Sequence, residues 1–131
     1  VRHFKSIFEQ VNDLYLSSLI FQTKYYYNRL RPNQLAYYLK MGLTSANTTT
    51  GNTPSYPSGH TLQTHFFTKL ISDVMNIPWS DEPTREVAAS RMSMGIHYKT
   101  DNDFGIKISE YLLDTDEYAE LVENIKKELN V

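Results

Sequence analysis

Residues 54–71 read PSYPSGHTLQTHFFTKLI. Two prolines stiffen the approach, Ser58, Gly59 and His60 follow without a gap, and the remainder has helical spacing. The spacing predicts a helix from His60 to about Asn76, with Phe66, Phe67, Leu70, Ile71, Val74 and Met75 facing a core. The stretch is therefore a loop that brings a hydroxyl, a glycine amide and an imidazole to a helix N-terminus. Unpaired backbone N–H groups and the positive end of the helix dipole make that place attractive to an anion.

Helical patterning extends in both directions. Phe4, Ile7, Phe8, Val11, Leu14, Tyr15, Ser18, Leu19, Gln22 and Tyr26 form one stripe on a helix over 2–30, which Pro32 should end near Leu30 or Arg31. Residues 33–41 suit a short helix or an irregular segment, closed by Gly42. The Thr-, Ser- and Asn-rich segment 44–55 is a loop. Ile77-Pro78-Trp79 breaks the central helix. Ser80 or Asp81 can cap a helix over about 82–97 with Pro83 in its first turn. Thr100 or Asp101 can cap another, running through Phe104, Ile108, Tyr111 and Leu112. A last helix over 116–129 carries Tyr118, Leu121, Val122, Ile125 and Leu129 on one side. No alternating strand pattern of useful length appears. The expected fold is all-α: one domain over 1–131, with about five helices in a bundle.

Composition narrows the function. The formal net charge is -2, and no wide basic patch is present, which argues against nucleic acid as a partner. The absence of cysteine excludes disulfides and thiolate metal sites. No apolar run approaches the ~20 residues that span a bilayer. No signal-peptide pattern stands at the start, although the chain opens on Val1 and not on Met. The expectation is a soluble protein, either cytoplasmic or, if a signal segment has been removed, periplasmic or secreted.

Charged and imidazole residues gather at helix ends. Lys24 and Arg31 lie seven apart, two helical turns, so both can point to one side. Arg91 and His97 flank Gly95, and Asp101 follows His97 by four, within reach of an imidazole nitrogen. Together these make three cations, a hydroxyl, a loop of backbone donors, two imidazoles and a carboxylate. Periodicity and composition alone do not assemble this set, which the family resemblance below brings together; taken as one group it suits phosphoryl transfer without a metal. Cations neutralise the phosphate oxygens, one imidazole attacks phosphorus, and the other protonates the leaving oxygen. An Asp on one imidazole nitrogen fixes the tautomer and frees the other nitrogen.

Three segments then resemble the type 2 phosphatidic acid phosphatase (PAP2) superfamily, which includes the vanadium haloperoxidases. Lys24–Pro32 (KYYYNRLRP) matches its K-x6-RP motif, Pro57–His60 its PSGH, and Ser90–Asp101 (SRMSMGIHYKTD) its SR-x5-H-x3-D. The wording around Ser55–Thr61 looks most like the soluble bacterial class A acid phosphatases. The resemblance implies a compact helical core and a metal-independent acid phosphatase acting on small phosphomonoesters. It also implies roles: His97 as the nucleophile forming a phosphohistidine, His60 as general acid and then base, and Asp101 orienting His97. Lys24, Arg31, Ser58, Gly59 and Arg91 would bind the phosphate. No cofactor is implied, although vanadate could occupy the same site. The rival readings are a vanadate-dependent haloperoxidase and a phosphatase acting on lipid phosphates.

Other residues carry plainer expectations. His3 should be at the surface, His65 in the core or at the surface, and Ser90 packed or in local hydrogen bonds. Asp103 should be a first-turn helix charge, Arg29 an exposed arginine or, as the second reading, a substrate contact, and Trp79 and the methionines packing. The family usually has more helix ahead of its first motif than the 23 residues here. The chain is then a minimal or N-terminally shortened version, or a protomer that covers an apolar face as a homo-oligomer.

Overall fold

The computed structural model describes residues 2–46 and 48–131; Asn47, within the predicted 44–55 loop, lies outside them. The fold is all-α, with no strand among the described residues. Helix α1 (Arg2–Val11) runs through a π-helical turn (Asn12–Leu16) into α2 (Ser17–Tyr27). Then come α3 (Pro32–Tyr38), a 3-10 turn (Thr49–Gly51), α4 (Gly59–Met75), α5 (Glu82–Ser93), α6 (Lys99–Leu113) and α7 (Asp116–Leu129). Counting α1–α2 as one rod, five long helical units surround the core, with α3 as a short addition.

Helix α4 is central and packs on α5, α6 and α7. The core joins Leu62, Phe66, Leu70 and Val74 of α4 to Ile7, Val11, Leu16 and Ile20 of the rod and to Tyr118, Val122 and Ile125 of α7. Ser58 caps α4 and Thr115 caps α7, each accepting a first-turn amide, while Asn76 and Asn130 close the two helices in the left-handed conformation.

The rod departs from the single regular stripe. Its buried positions are Ile7, Val11, Leu16, Ile20 and Lys24, so the step across the π turn is five residues where the others are four. That extra residue rotates everything after it by about 100° relative to a continued α-helix. Leu14, expected in the stripe, is 78% exposed, and Tyr26 is exposed as well. The rod also ends at Tyr27, before the predicted Leu30 or Arg31, because Asn28 turns left-handed (φ 50°) and its amide returns to the Lys24 carbonyl.

Helix α5 stops at Ser93, short of the predicted 97. Gly95 takes φ +71°, and a Cβ there would stand 3.3 Å from the Thr44 carbonyl oxygen. His97 therefore sits in a turn. The cap of α6 is Tyr98, not Thr100 or Asp101; Asp101 lies in the first turn, and its Oδ2 accepts the Tyr98 amide at 2.8 Å. The fully buried positions of α6 are Asp101, Asn102, Gly105 and Ser109, while Ile108 and Leu112, through which the helix was expected to run, are partly buried and pack against the core. Tyr111 is 75% exposed. Small and polar side chains let α6 approach α4 closely, and Ser109 Oγ donates to the Leu62 carbonyl at 2.6 Å.

The α7 stripe, the position of Pro83 and the surface place of His3 are as the sequence suggested. Met41 is 65% exposed, and Met75 and Met92 are also exposed, against the packing role expected of them, whereas Met94 is half-buried and Trp79 packs edge-on against the buried His65. Among the described residues, no helix is long and apolar enough to cross a membrane.

Candidate active site

The three motif segments meet through backbone and side-chain bonds. Lys24 Nζ donates to the Pro54 carbonyl at 2.8 Å, and the Ser55 amide donates to the Arg29 carbonyl at 2.9 Å. The Ser58 amide donates to the Asp101 carbonyl at 3.0 Å, and Arg31 Nη1 donates to the Ile96 carbonyl at 3.0 Å. Between the segments lies a cavity of about 270 Å3. Lys24, Arg31, Gly59, His60 and His97 share its wall with Ile20, Phe21 and the 49–53 loop.

Lys24 reaches this wall because of the π turn, which places it on the buried side of the rod. Arg31 arrives differently from the two-turn helical register expected of the pair. The left-handed Asn28 ends the helix, and Arg31 stands in extended backbone at the start of α3.

His97 Nδ1 lies 3.1 Å from Asp101 Oδ2, and its Nε2 lies 3.2 Å from Arg31 Nη1. A guanidinium only donates and a carboxylate only accepts. Nδ1 therefore carries the proton, and the Nε2 lone pair faces Arg31 and the cavity. Burial lowers the His97 pKa below the ordinary imidazole value and outweighs the opposing effect of the hydrogen bond it donates to Asp101; Arg31 and Lys24 lower it further.

Asp101 is fully buried. Burial alone would raise its pKa, but hydrogen bonds from His97, Ser55 Oγ and the Tyr98 amide outweigh it and hold the carboxyl below its usual range. Burial also lowers the Lys24 pKa to about 8, with help from Arg31 and against the pull of Asp101. His60 stays exposed at the rim of the cavity. Its pKa is lowered first by partial burial, then by Arg91, His97, Lys24 and Arg31.

All three guanidinium nitrogens of Arg31 are engaged. Nε donates to the Thr53 carbonyl at 2.7 Å, and Nη2 to the Thr50 carbonyl at 3.2 Å and Thr53 Oγ1 at 3.3 Å. Ser58 is buried and does not line the cavity; its hydroxyl caps α4 and donates to Thr61 Oγ1 at 3.1 Å. Arg91 is also off the wall, half-buried, with a buried Nε that has no hydrogen-bond partner, and its charge reaches His60.

The family follows from a comparison with family models, in which residues 11–113 match the PAP2 superfamily. The chain belongs to the PAP2 superfamily. Membership supports phosphatase-type chemistry on phosphate esters, and the match covers every motif residue from Lys24 to Asp101. A comparison with curated proteins gives no match.

Around these PAP2 motifs the fold adds residues that the sequence did not single out as functional. Arg29, expected to be an exposed arginine or a substrate contact and not a partner of the carboxylate, donates from Nη1 to Asp101 Oδ1 at 2.8 Å. Ser55 donates to the other carboxylate oxygen. Thr61 donates to Asn102 at 2.7 Å, tying α4 to α6 beneath the site. Ser55 stood inside the motif loop and Arg29 two residues before Arg31, but nothing local in the sequence pointed either at Asp101. His65 lies apart from the cavity, buried, with Nδ1 3.3 Å from Thr84 Oγ1 and the ring edge-on to Trp79. Asp103 pairs with Lys99 on the α6 surface, as a first-turn charge. Ser90 is exposed, and its carbonyl accepts the Met94 amide at the end of α5.

Proposed function

We propose that the protein is a metal-independent acid phosphatase that hydrolyses small phosphomonoesters through a phosphohistidine on His97. The observation that carries this reading is the set of bonds around His97, with Nδ1–H on Asp101 and the Nε2 lone pair turned to the cationic cavity. Nε2 attacks phosphorus, the ester P–O bond breaks, and His60 gives its proton to the leaving oxygen. Water then attacks the phosphohistidine while His60 takes back a proton, which releases inorganic phosphate and free Nε2. Asp101 stabilises the cationic ring in between. Lys24, Arg31, Arg91 and the Gly59 amide offset the phosphoryl charge.

Arg31 is available to phosphate by exchange. The phosphoryl oxygens replace His97 Nε2 and the Thr50 and Thr53 acceptors that hold the guanidinium in the free protein. The buried, unpartnered Arg91 Nε supports the presence of an anion on that side, since such a donor costs about 1–3 kcal/mol until paired. Ser58 serves as the cap that sets the start of α4 and gives up its bond to Thr61 if it turns to phosphate. The lowered His97 pKa keeps the nucleophile unprotonated into mildly acidic solution, in keeping with an acid phosphatase. The size of the cavity suits a phosphoryl group with a modest leaving group.

Hydrolysis of an aryl phosphate by the wild type, His97→Ala and His60→Ala tests the reading, with and without chelator and vanadate. We expect chelator-insensitive turnover, inhibition by vanadate, and a loss of about 1,000-fold or more in His97→Ala. The His60→Ala variant should lose less with a good leaving group, because an acidic phenol needs little protonation. Activity abolished by chelator, or peroxide-dependent bromination with added vanadate in place of hydrolysis, contradicts it.

A further inference from the structure

The Asp101 carboxylate is held on both oxygens. Oδ2 accepts from His97 Nδ1, Ser55 Oγ and the Tyr98 amide. Oδ1 accepts from Arg29 Nη1 at 2.8 Å, an ion pair in which the arginine is 36% exposed and the carboxylate fully buried. The guanidinium is itself clamped. Nη1 also donates to Thr100 Oγ1 at 2.8 Å, and the guanidinium carbon lies 4.0 Å from the Tyr56 ring centre. Tyr56 stacks on Phe104 at 4.2 Å with an interplanar angle of 6°, and Tyr27 meets both rings edge-on. The Arg29 carbonyl accepts the Ser55 amide, so the residue fastens the loop that supplies the second donor to Asp101.

This is far more fixation than a surface arginine receives, and it converges on one buried carboxylate. We propose that Arg29 is a positioning residue, acting on His97 through Asp101. It pins Oδ1 so that Oδ2 stays in line with His97 Nδ1, and it balances a buried negative charge that the neutral imidazole leaves uncompensated. Lys24 and Arg31 also feel the Asp101 charge, but neither bonds to its carboxylate, so their roles stay on the cavity side. The inference rests on the reading of His97 as the nucleophile.

The test is a double-mutant cycle. Arg29→Ala should lower kcat on an aryl phosphate by about 10- to 100-fold while KM changes much less, because an imidazole out of line costs rate and not binding. In an Asp101→Asn background the same change should cost almost nothing further. Arg29→Gln, which keeps bulk without charge, should behave as Arg29→Ala does and serves if the alanine variant folds poorly. Free guanidinium should restore part of the Arg29→Ala rate. A readout that needs no activity is the His97 Nδ1–H proton resonance, which should exchange with water faster in the Arg29 variants. Equal losses in both backgrounds, or an unchanged kcat and Nδ1–H exchange with only a lower melting temperature, overturn the proposal. If the wild type hydrolyses nothing, the phosphatase reading fails, and the exchange measurement still decides whether Arg29 governs the His97–Asp101 bond.

Discussion

Lys24 shows what the cavity costs the fold. It is 4% exposed, its ammonium donates to the Pro54 carbonyl, and its pKa falls to about 8 from 10.5. Below pH 8 both the folded and unfolded chains carry the proton, so the folded chain bears the full cost of the buried charge. Between about 8 and 10.5 only the folded chain sheds the proton, and the cost is relieved. Lys24→Met should therefore stabilise the protein by on the order of 1–3 kcal/mol at pH 7, with the gain fading toward pH 10. The same change should lower kcat/KM by about 100-fold through loss of a phosphate contact. Urea unfolding at the two pH values, beside aryl phosphate kinetics, checks both halves. A variant less stable than the wild type at pH 7 contradicts the account.

At the scale of elements, two local departures from regular packing set the site. The π turn at Asn12–Leu16 moves the buried line of the rod from Val11 to Leu16 and so to Ile20 and Lys24. The second departure is the small and polar face of α6. Gly105 brings that helix onto the start of α4, where an added Cβ would meet the Ser58 carbonyl oxygen at 2.9 Å and the Leu62 amide at 3.3 Å. Both are backbone atoms and cannot swing aside. Gly105→Ala should destabilise by about 1–3 kcal/mol. It should also lower kcat, because the displaced α6 carries Asp101 and the displaced start of α4 carries His60. Gly42→Ala, where an added Cβ has nothing within 4 Å, is the control and should change neither. Thermal melts and kinetics on the pair decide the point; an unperturbed Gly105→Ala contradicts the close approach.

For the whole molecule, stability should fall in acid. His65 and His97 are buried with lowered pKa values, and the His60 value is lowered too. Below the ordinary imidazole value of about 6.5, the unfolded chain takes up protons that the folded chain refuses, so stability declines as pH falls. Asp101 adds to this in stronger acid, since its lowered pKa contributes stability above 3.8 that is lost as pH drops through the folded value. The urea midpoint should be lower at pH 5 than at pH 7.5, and saturating phosphate should offset part of the loss by binding only the folded chain. A flat profile contradicts the buried neutral histidines.

Much of this was legible in the chain itself. The all-α class, the stripes of α4 and α7, and the three segments that supply Lys24, Arg31, His60, Arg91, His97 and Asp101 follow from spacing over a few turns and from motif wording. Such signals are local, and helical periodicity reports which residues share a face of an ideal helix. Only the tertiary structure decided where that ideal breaks. The π turn and the left-handed Asn28 aim Lys24 and Arg31, Gly95 releases His97 from α5, and the close α4–α6 contact buries the polar Asp101, Asn102 and Ser109. It alone joined Arg29 to Asp101, 72 residues away. A pairing at that separation leaves no periodic trace, because it depends on how several helices settle together and not on the residues beside either partner.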